Sequence, residues 1–354
     1  MNNKICFPFA GDTLGGSHIS AIELIKFLKK KNVKVSIVLH KKGNLAKYLK
    51  NQGINFQLLK IDNLAGENSS KINIFYLLLK NFIKIKNYIK LNNIDLVHGN
   101  DLRINLQWGF VSLFYCYFIW HQRTYYKNKS LLFLPMYFFA NNIISISKTV
   151  KESLPKILLK KNYIIYNPIK TFQKKKNEIK KKLKICFVSR PTKEKGFHIF
   201  MDIVKNLKIN GLDIKFNVYL PNGKKNTYIK NNKTKFKDNR MLFHNFTSFK
   251  NIAKNNNILI APSKFEGFGR SIIEAASSNI AVIASNIKAH KEINNKFTKV
   301  NIVSNDYKNY IKCIKKIVDK KKITSKSIVN LKIFFSPLGH CKRVFKIYQK
   351  LITN

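Results

Sequence analysis

The chain has 354 residues, of which 45% are hydrophobic and 12% aromatic, so it is long enough for two packed domains and too apolar to be disordered. Its formal net charge is +50, but only six of its 67 basic residues are arginine, a lysine bias that an AT-rich genome would produce by codon drift. We therefore interpret most of the charge as solvated surface, which attracts anionic lipids and phosphorylated ligands. Five scattered cysteines without C-x-x-C spacing argue for reduced thiols in the cytoplasm and against a zinc site.

The first half of the sequence alternates short apolar runs with amphipathic segments. A long helix is predicted over 72–91, and the most apolar region, 104–120, is interpreted as a buried helix followed by a buried strand rather than a membrane span. Strands alternating with helices predict a parallel sheet covered on both faces. The predicted strands of this half are 4–10, 33–39, 55–61, 95–99, 118–122, 142–147 and 163–166.

The same alternation starts again after a charged stretch. We predict an N-terminal Rossmann-like domain over 1–168, a charged linker over 169–182 and a second Rossmann-like domain over 183–335. A final helix, 336–354, is expected to pack back on the first domain. The predicted class is α/β, with two Rossmann-like domains facing a cleft that holds the ligand site. The strands of the second domain are predicted at 183–189, 213–220, 241–246, 258–261, 280–284 and 300–303.

Two carboxylates flank a Gly-x-Gly turn in the segment KFEGFGRSIIEA. Glu266 lies in the loop after strand 258–261, and Glu274 lies eight residues later, in the following helix. The two glycines let the backbone approach a ligand closely, and the first turn of the helix favours an anion. Each carboxylate can accept two hydrogen bonds from sugar or ribose hydroxyls. The ligand contacts predicted from this segment are Glu266, Gly267, Phe268, Gly269, Arg270, Ser271 and Glu274.

Two cations follow the first strand of the second domain, in FVSRPTKEKGF. Arg190 and Lys195 would lie at the mouth of a site, where preorganised positive charge attracts a phosphorylated ligand. Arg190 is the stronger candidate from composition, because arginine is rare in this chain and offers a bidentate fork.

The E-x7-E arrangement resembles the nucleotide-sugar site of glycosyltransferase family 4, whose members are retaining enzymes of the GT-B fold. The resemblance implies that Glu266 lies by the donor sugar, that Glu274 lies by the ribose, and that Arg190 and Lys195 hold the leaving diphosphate. The sequence departs from the family at 277–279, where Ser-Ser-Asn stands in place of Ala-x-Gly, and at 288–291, where Lys-Ala-His-Lys replaces Gly-Gly-x-Pro before Glu292.

Two further candidates belong to the first domain. Gly16, in the GGSH turn after the first strand, resembles the family's Gly-Gly turn toward the donor phosphates and the acceptor. His121, at the end of a predicted strand, could hydrogen-bond a sugar hydroxyl or accept a proton, and is predicted to be catalytic together with Glu266, Arg190 and Lys195. His98 also ends a strand, and Arg123 is a candidate for an acceptor phosphate.

No D-x-D motif occurs and no His/Cys cluster has metal-ligand spacing, so neither a metal nor another cofactor is predicted. The expected activity is hexosyl transfer from a nucleoside-diphosphate-sugar to a lipid-linked glycan acceptor, in bacterial lipopolysaccharide or capsule synthesis. The expected location is cytoplasmic, at the anionic inner face of the cytoplasmic membrane. Two other readings stay open: another GT-B enzyme, such as a sugar-nucleotide epimerase or a phosphorylase, and a basic nucleic-acid-binding protein, although no specific nucleic-acid motif appears.

Overall fold

The computed structural model describes residues 3–62, 64, 71–125, 133–169, 179, 181–220, 238–320 and 328–353. Their contacts divide the chain into two units, one formed by 1–168 with 337–354 and the other by 169–336. Each unit holds one sheet of parallel strands with helices between them, which is the Rossmann-like arrangement predicted from the alternating pattern.

The sheet of the first unit has the strand order β3-β2-β1-β4-β5-β6-β7, and all its pairs are parallel. Strands such as β1, with sequence KICFPF, read as near-continuous apolar runs because helices cover both faces. The strands are β1 (Lys4–Phe9), β2 (Lys34–Leu39), β3 (Gln57–Leu58), β4 (Leu96–Gly99), β5 (Tyr117–Gln122), β6 (Asn142–Ser145) and β7 (Asn162–Ile164). The helices before the second unit are α1 (Gly16–Lys30), α2 (Asn44–Asn51), α3 (Lys71–Leu91), α4 (Leu102–Tyr115), α5 (Phe133–Phe139) and α6 (Lys148–Glu152).

The apolar region 104–120 is a helix followed by a strand, as predicted, since it spans α4 and β5 in the core of the first unit. Among the residues that the structure describes, no helix is both long and apolar enough to cross a membrane. The strand predicted over 55–61 shortens to β3, at the edge of the sheet, because its paired residues are exposed and no core holds them extended.

The sheet of the second unit has the order β10-β9-β8-β11-β12-β13, again with parallel pairs throughout. Its strands are β8 (Lys182–Val188), β9 (Asp213–Leu220), β10 (Met241–Asn245), β11 (Ile258–Ala261), β12 (Ala281–Ser285) and β13 (Asn301–Val303). Its helices are α7 (Phe197–Asn206), α8 (Phe249–Lys254), α9 (Arg270–Ser277), α10 (Lys288–Lys296), α11 (Tyr307–Asp319) and α12 (Leu331–Phe334).

The last helix, α13 (Pro337–Ile352), belongs to the first unit. Its buried face joins the core of that unit, and the Phe345 ring packs edge-on against Phe27 of α1, with centroids 6.1 Å apart. The ends of the charged stretch 169–182 are ordered parts of the second unit. Ile169 is buried and its N–H donates to the Phe335 carbonyl, and Lys182 begins β8, whereas 170–178 and 180 lie outside the described residues.

Candidate active site

An ion pair joins two turns at the centre of the second sheet. Lys195 Nζ donates to Glu266 Oε1 at 2.6 Å, and their side chains are 19% and 24% exposed. Lys195 follows β8 and Glu266 follows β11, which are neighbouring strands although two others separate them in sequence. Their pairing marks the point where the strand order reverses, and open parallel sheets bind ligands at the carboxyl ends of strands there.

The turn that carries Lys195 depends on Gly196. This residue has φ of +70°, a conformation that glycine adopts without steric cost. A Cβ here would lie 1.9 Å from the Pro262 carbonyl oxygen, so the turn after β8 lies directly against the segment after β11. The close approach of these two backbones brings Lys195 within reach of Glu266.

The loop between β11 and α9 is anchored through Phe268. Its side chain is buried against the rings of Phe297 and Phe335, with centroids 6.4 and 5.8 Å apart. This burial corrects the prediction that the Phe268 side chain contacts a ligand. The side chain belongs to the core, and only the Phe268 backbone is left for a ligand to contact. Gly269, with φ of +78°, then turns the chain into the helix.

Glu274 lies one turn into α9 and pairs with Arg270, with Arg270 Nη2 and Glu274 Oε1 3.3 Å apart. Burial raises the pKa of the Glu274 carboxyl, and the Arg270 guanidinium opposes this rise. The two side chains form an intrahelical pair in which the Glu274 side chain is 13% exposed.

A concave space that is open to solvent is lined by both residues of the ion pair. Of the predicted residues, its lining includes Lys195, Glu266, Gly269 and Ser271, whereas Glu274, Gly267 and Arg270 are not part of it. Arg190 is exposed and is not part of the lining, whereas Lys195 is. The guanidinium of Arg190 instead contributes to lowering the pKa of Glu194, after hydrogen bonds from the Glu194 backbone and Thr192.

The sequence analysis missed His290 as a lining residue. The His290 Nδ1 atom lies 3.0 Å from the Ser285 carbonyl oxygen, and because a carbonyl only accepts, Nδ1 carries the proton and Nε2 is the acceptor. Ser285 Oγ in turn donates to the Ser263 carbonyl at 2.6 Å, which ties β12 to the segment after β11. Burial lowers the pKa of His290 to about 4, and Glu266 opposes the shift. The signal that the sequence offered for this residue was a histidine within 288–291, the segment that departs from the family pattern. Glu292, on α10, is not part of the lining.

The Gly-Gly turn of the first unit forms the start of α1, which begins at Gly16. The Gly15 N–H donates to His18 Nδ1 at 3.0 Å, so the histidine caps its own helix. Beside this turn, Arg103 binds both oxygens of Asp12, at 2.9 and 3.2 Å. Although burial opposes the shift, these hydrogen bonds lower the pKa of Asp12.

His121 is buried within a chain of side chains at the ends of β4 and β5. Its Nδ1 lies 3.1 Å from His98 Nε2 and 3.3 Å from Arg123 Nη2, and His98 Nδ1 lies 2.6 Å from Tyr348 Oη of α13. A guanidinium only donates, so Nδ1 of His121 is an acceptor and its proton is on Nε2. Burial, followed by the charge of Arg123, holds the pKa of His121 well below its usual value.

These contacts correct one expectation for His121, because a ring with its buried Nε2 protonated and a lowered pKa does not accept a proton there. Arg123 also donates to Asn167 and Asn100, both at 2.9 Å, so its guanidinium serves the first unit's own structure rather than an acceptor phosphate. His340 of α13 stacks near His121, with centroids 6.5 Å apart. Within the described ranges, no group of three or more His, Cys, Asp or Glu side chains could hold a metal ion.

Residues 169–331 match the family model described as glycosyl transferases group 1, and this segment contains the Lys195–Glu266 pair and the lining of the concave space. The chain is a glycosyltransferase. Over 347 residues this glycosyltransferase is 25% identical to the capsular polysaccharide biosynthesis glycosyltransferase CapH of Staphylococcus aureus, covering 90% of this chain and 92% of the relative.

Solved structures similar to this glycosyltransferase show that it has the GT-B fold. Anabaena Alr3699/HepE, solved in complex with UDP and glucose, has a TM-score of 0.76 at 15% identity, covering 98% of this chain and 99% of that one. The lipopolysaccharide outer core galactosyltransferase WaaB has a TM-score of 0.69 at 16% identity, covering 98% and 99%. The group 1 domain favours the transferase over the epimerase, phosphorylase and nucleic-acid-binding readings.

Proposed function

We propose that this glycosyltransferase moves a hexose from a nucleoside-diphosphate-sugar to a glycan acceptor, with retention of anomeric configuration as in family 4. The observation that carries the proposal is the Lys195–Glu266 pair at the strand-order reversal of the second sheet, over a concave space. The Anabaena structure holds UDP and glucose, which supports a uridine-diphosphate hexose as the first donor to test.

In this proposal Lys195 Nζ contacts the diphosphate. The ammonium group has three N–H donors, and only one of them is used in the hydrogen bond to Glu266. Positive charge at this point stabilises the leaving group as the glycosidic bond breaks. Ser271, in the first turn of α9, offers a hydroxyl and backbone N–H groups to the same phosphates. Glu266 accepts from the donor sugar, and Glu274 accepts from the ribose diol. Neither a metal nor another cofactor enters this scheme.

Arg190, Gly16 and His121 keep proposed roles of a different kind. Arg190 is exposed and outside the lining of the concave space, so its long side chain would have to turn toward the donor phosphates to contact them. Gly16 begins α1, whose first N–H groups would meet an anionic acceptor or donor phosphate. His121 would donate a hydrogen bond from Nε2 to a sugar oxygen and take no part in proton abstraction.

The acceptor is proposed to be lipid-linked, in the synthesis of a bacterial surface polysaccharide such as capsule or lipopolysaccharide. The similarity to a capsular polysaccharide glycosyltransferase and to a lipopolysaccharide galactosyltransferase supports this pathway. The proposed location is the cytoplasm, at the inner face of the cytoplasmic membrane, which the net charge of +50 favours because that face is anionic.

Thermal shift with a panel of nucleoside diphosphates and sugar nucleotides tests the donor. We expect UDP or another nucleoside diphosphate to raise the melting temperature of the wild-type protein, and Glu274→Ala to abolish that rise. Asp202→Ala removes a carboxylate of α7 that is not a predicted ligand contact, so it is the matched control and should keep the full shift. If no nucleotide stabilises the wild-type protein, the donor proposal is wrong.

A further inference from the structure

Helix α3 exposes a stripe of large apolar side chains. The stripe starts at Ile72 and continues three, four, seven and eleven positions later, at Phe75, Tyr76, Leu79 and Ile83. This spacing places all five side chains on one face of the helix. Ile72 is 83% exposed and Phe75 is 62% exposed, while the opposite face of α3 lies in the core of the first unit. A helix that is apolar on its core face and again on its outer face indicates a second contact surface.

The exposed stripe continues onto the two neighbouring helices through contacting rings. Phe82 of α3 lies 6.1 Å from Phe114 of α4, which is 59% exposed. Phe110 of α4 lies 5.7 Å from Phe139 of α5, beside the exposed Phe138. We call this surface the aromatic face; it consists of Ile72, Phe75, Tyr76, Leu79, Ile83, Leu113, Phe114, Leu134, Tyr137 and Phe138.

Lysines border the aromatic face, and the sequences of α3, α4 and α5 contain no Asp or Glu. Lys86 and Lys90 lie over the Tyr115 ring, at 5.9 and 5.1 Å from its centroid, and Lys161 lies 5.1 Å from the centroid of Tyr137. These cation–π contacts keep the ammonium groups at the edge of the apolar side chains rather than among them. Lys80 lies 5.9 Å from the centroid of Tyr76 and pairs with Asp62 at 2.9 Å, so the face combines an apolar centre with a rim of four lysines and one aspartate.

We propose that the aromatic face docks on an anionic lipid bilayer. Amphipathic helices with Phe, Leu and Ile on one side and lysine at the border lie in the lipid interface, where the side chains enter the acyl boundary and the lysines meet the headgroups. A second copy of the chain fits poorly, because pairing two such faces brings their lysines together. Nucleic acid would leave the aliphatic side chains in water. This inference specifies the proposed membrane location and is independent of the donor site.

Co-flotation with vesicles tests the proposal. The wild-type protein is expected to float with vesicles of phosphatidylcholine mixed with phosphatidylglycerol, more weakly with pure phosphatidylcholine, and less at high salt. The double substitution Phe75→Ser with Leu79→Ser should weaken binding at least about tenfold, because two apolar side chains lose their burial. Lys86→Gln with Lys90→Gln should cost about fivefold per lysine, on the mixed vesicles only.

Ile333→Ser is the matched control, because Ile333 is an exposed apolar residue of α12 in the second unit. It should bind vesicles as the wild-type protein does, and circular dichroism should show that all the variants are folded. The proposal is overturned if the wild-type protein ignores the mixed vesicles, or if the Phe75/Leu79 variant binds them unchanged. A dimer in lipid-free buffer that this variant abolishes would also overturn it, in favour of self-association. Nucleotide thermal shifts on the same variants separate the two proposals. Loss of the shift counts against the donor assignment, whereas loss of vesicle binding does not.

Discussion

Gly196→Ala is expected to destabilise the second unit severely, for two separable reasons. The backbone of Gly196 has φ of +70°, where an L-residue costs about 1–2 kcal/mol. The added Cβ would also lie 1.9 Å from the carbonyl oxygen of Pro262, against 3.4 Å for ordinary contact, so one of the two turns must move. Overpacking of this kind costs a further ~1–3 kcal/mol, giving a total of roughly 2–5 kcal/mol.

Gly211→Ala is a matched control, because Gly211 has φ of +76° in the same unit and nothing lies within 4 Å of its added Cβ. It should show only the backbone term of about 1–2 kcal/mol. Guanidinium unfolding followed by circular dichroism measures both variants. Fluorescence follows the first unit alone, since Trp108 and Trp120 are the two tryptophans of the sequence and both lie there. Equal losses for the two variants would refute the assigned contact between the turns after β8 and β11.

Three other predictions concern charge in the site and in the core. Lys195→Met should lower kcat about 10²–10³-fold, as loss of a charge-stabilising group does, while the exposed Lys193→Met leaves it unchanged; similar rates in steady-state assays would contradict the assignment. Glu274→Gln should weaken donor affinity roughly tenfold by calorimetry, because a neutral amide accepts weaker hydrogen bonds than a carboxylate, and unchanged affinity would exclude a donor contact. Burial lowers the pKa values of His290 and His340 to about 4, below the unfolded value near 6.5, so folding holds both rings neutral. Stability should be fully present above pH 6.5 and fall as the pH drops toward 4, by at most about 3 kcal/mol per ring; a flat profile of unfolding free energy would contradict this.

Much of the fold followed from local patterns in the sequence. The alternation of buried strands and amphipathic helices predicted both sheets, because parallel strands covered on two faces are apolar along their whole length. β9 and β11 have the bounds predicted for them, whereas β3 is shorter because an exposed edge strand lacks the burial that would extend it. Local patterns therefore predict the bounds of a strand well when its side chains are buried in a core, and less well when the strand lies at the edge of a sheet.

The site was less predictable, because it depends on contacts between distant residues. The motifs located Lys195 and Glu266, but their 2.6 Å pairing follows from the order of the strands. No pattern of spacing could join Tyr348 to His98, which lie 250 positions apart. The place of His290 depends on its burial and on its contact with the Ser285 carbonyl, which no spacing in the sequence predicts.

The two units repeat one topology, and a comparison of their switch points indicates where the chemistry belongs. In the first sheet β1 and β4 are neighbours, and the bridge between the segments that follow them is Asp12 with Arg103. That bridge is bidentate and uses both carboxylate oxygens, with Lys41 also 3.9 Å from Asp12, so its charges are satisfied within the protein. In the second sheet β8 and β11 are neighbours, and a single ammonium proton of Lys195 contacts one oxygen of Glu266. A bidentate pair holds a turn in place, whereas a pair joined by one proton at the wall of a concave space retains the donors that a diphosphate needs. We therefore assign the Asp12–Arg103 pair to the structure of the first unit and the Lys195–Glu266 pair to the donor.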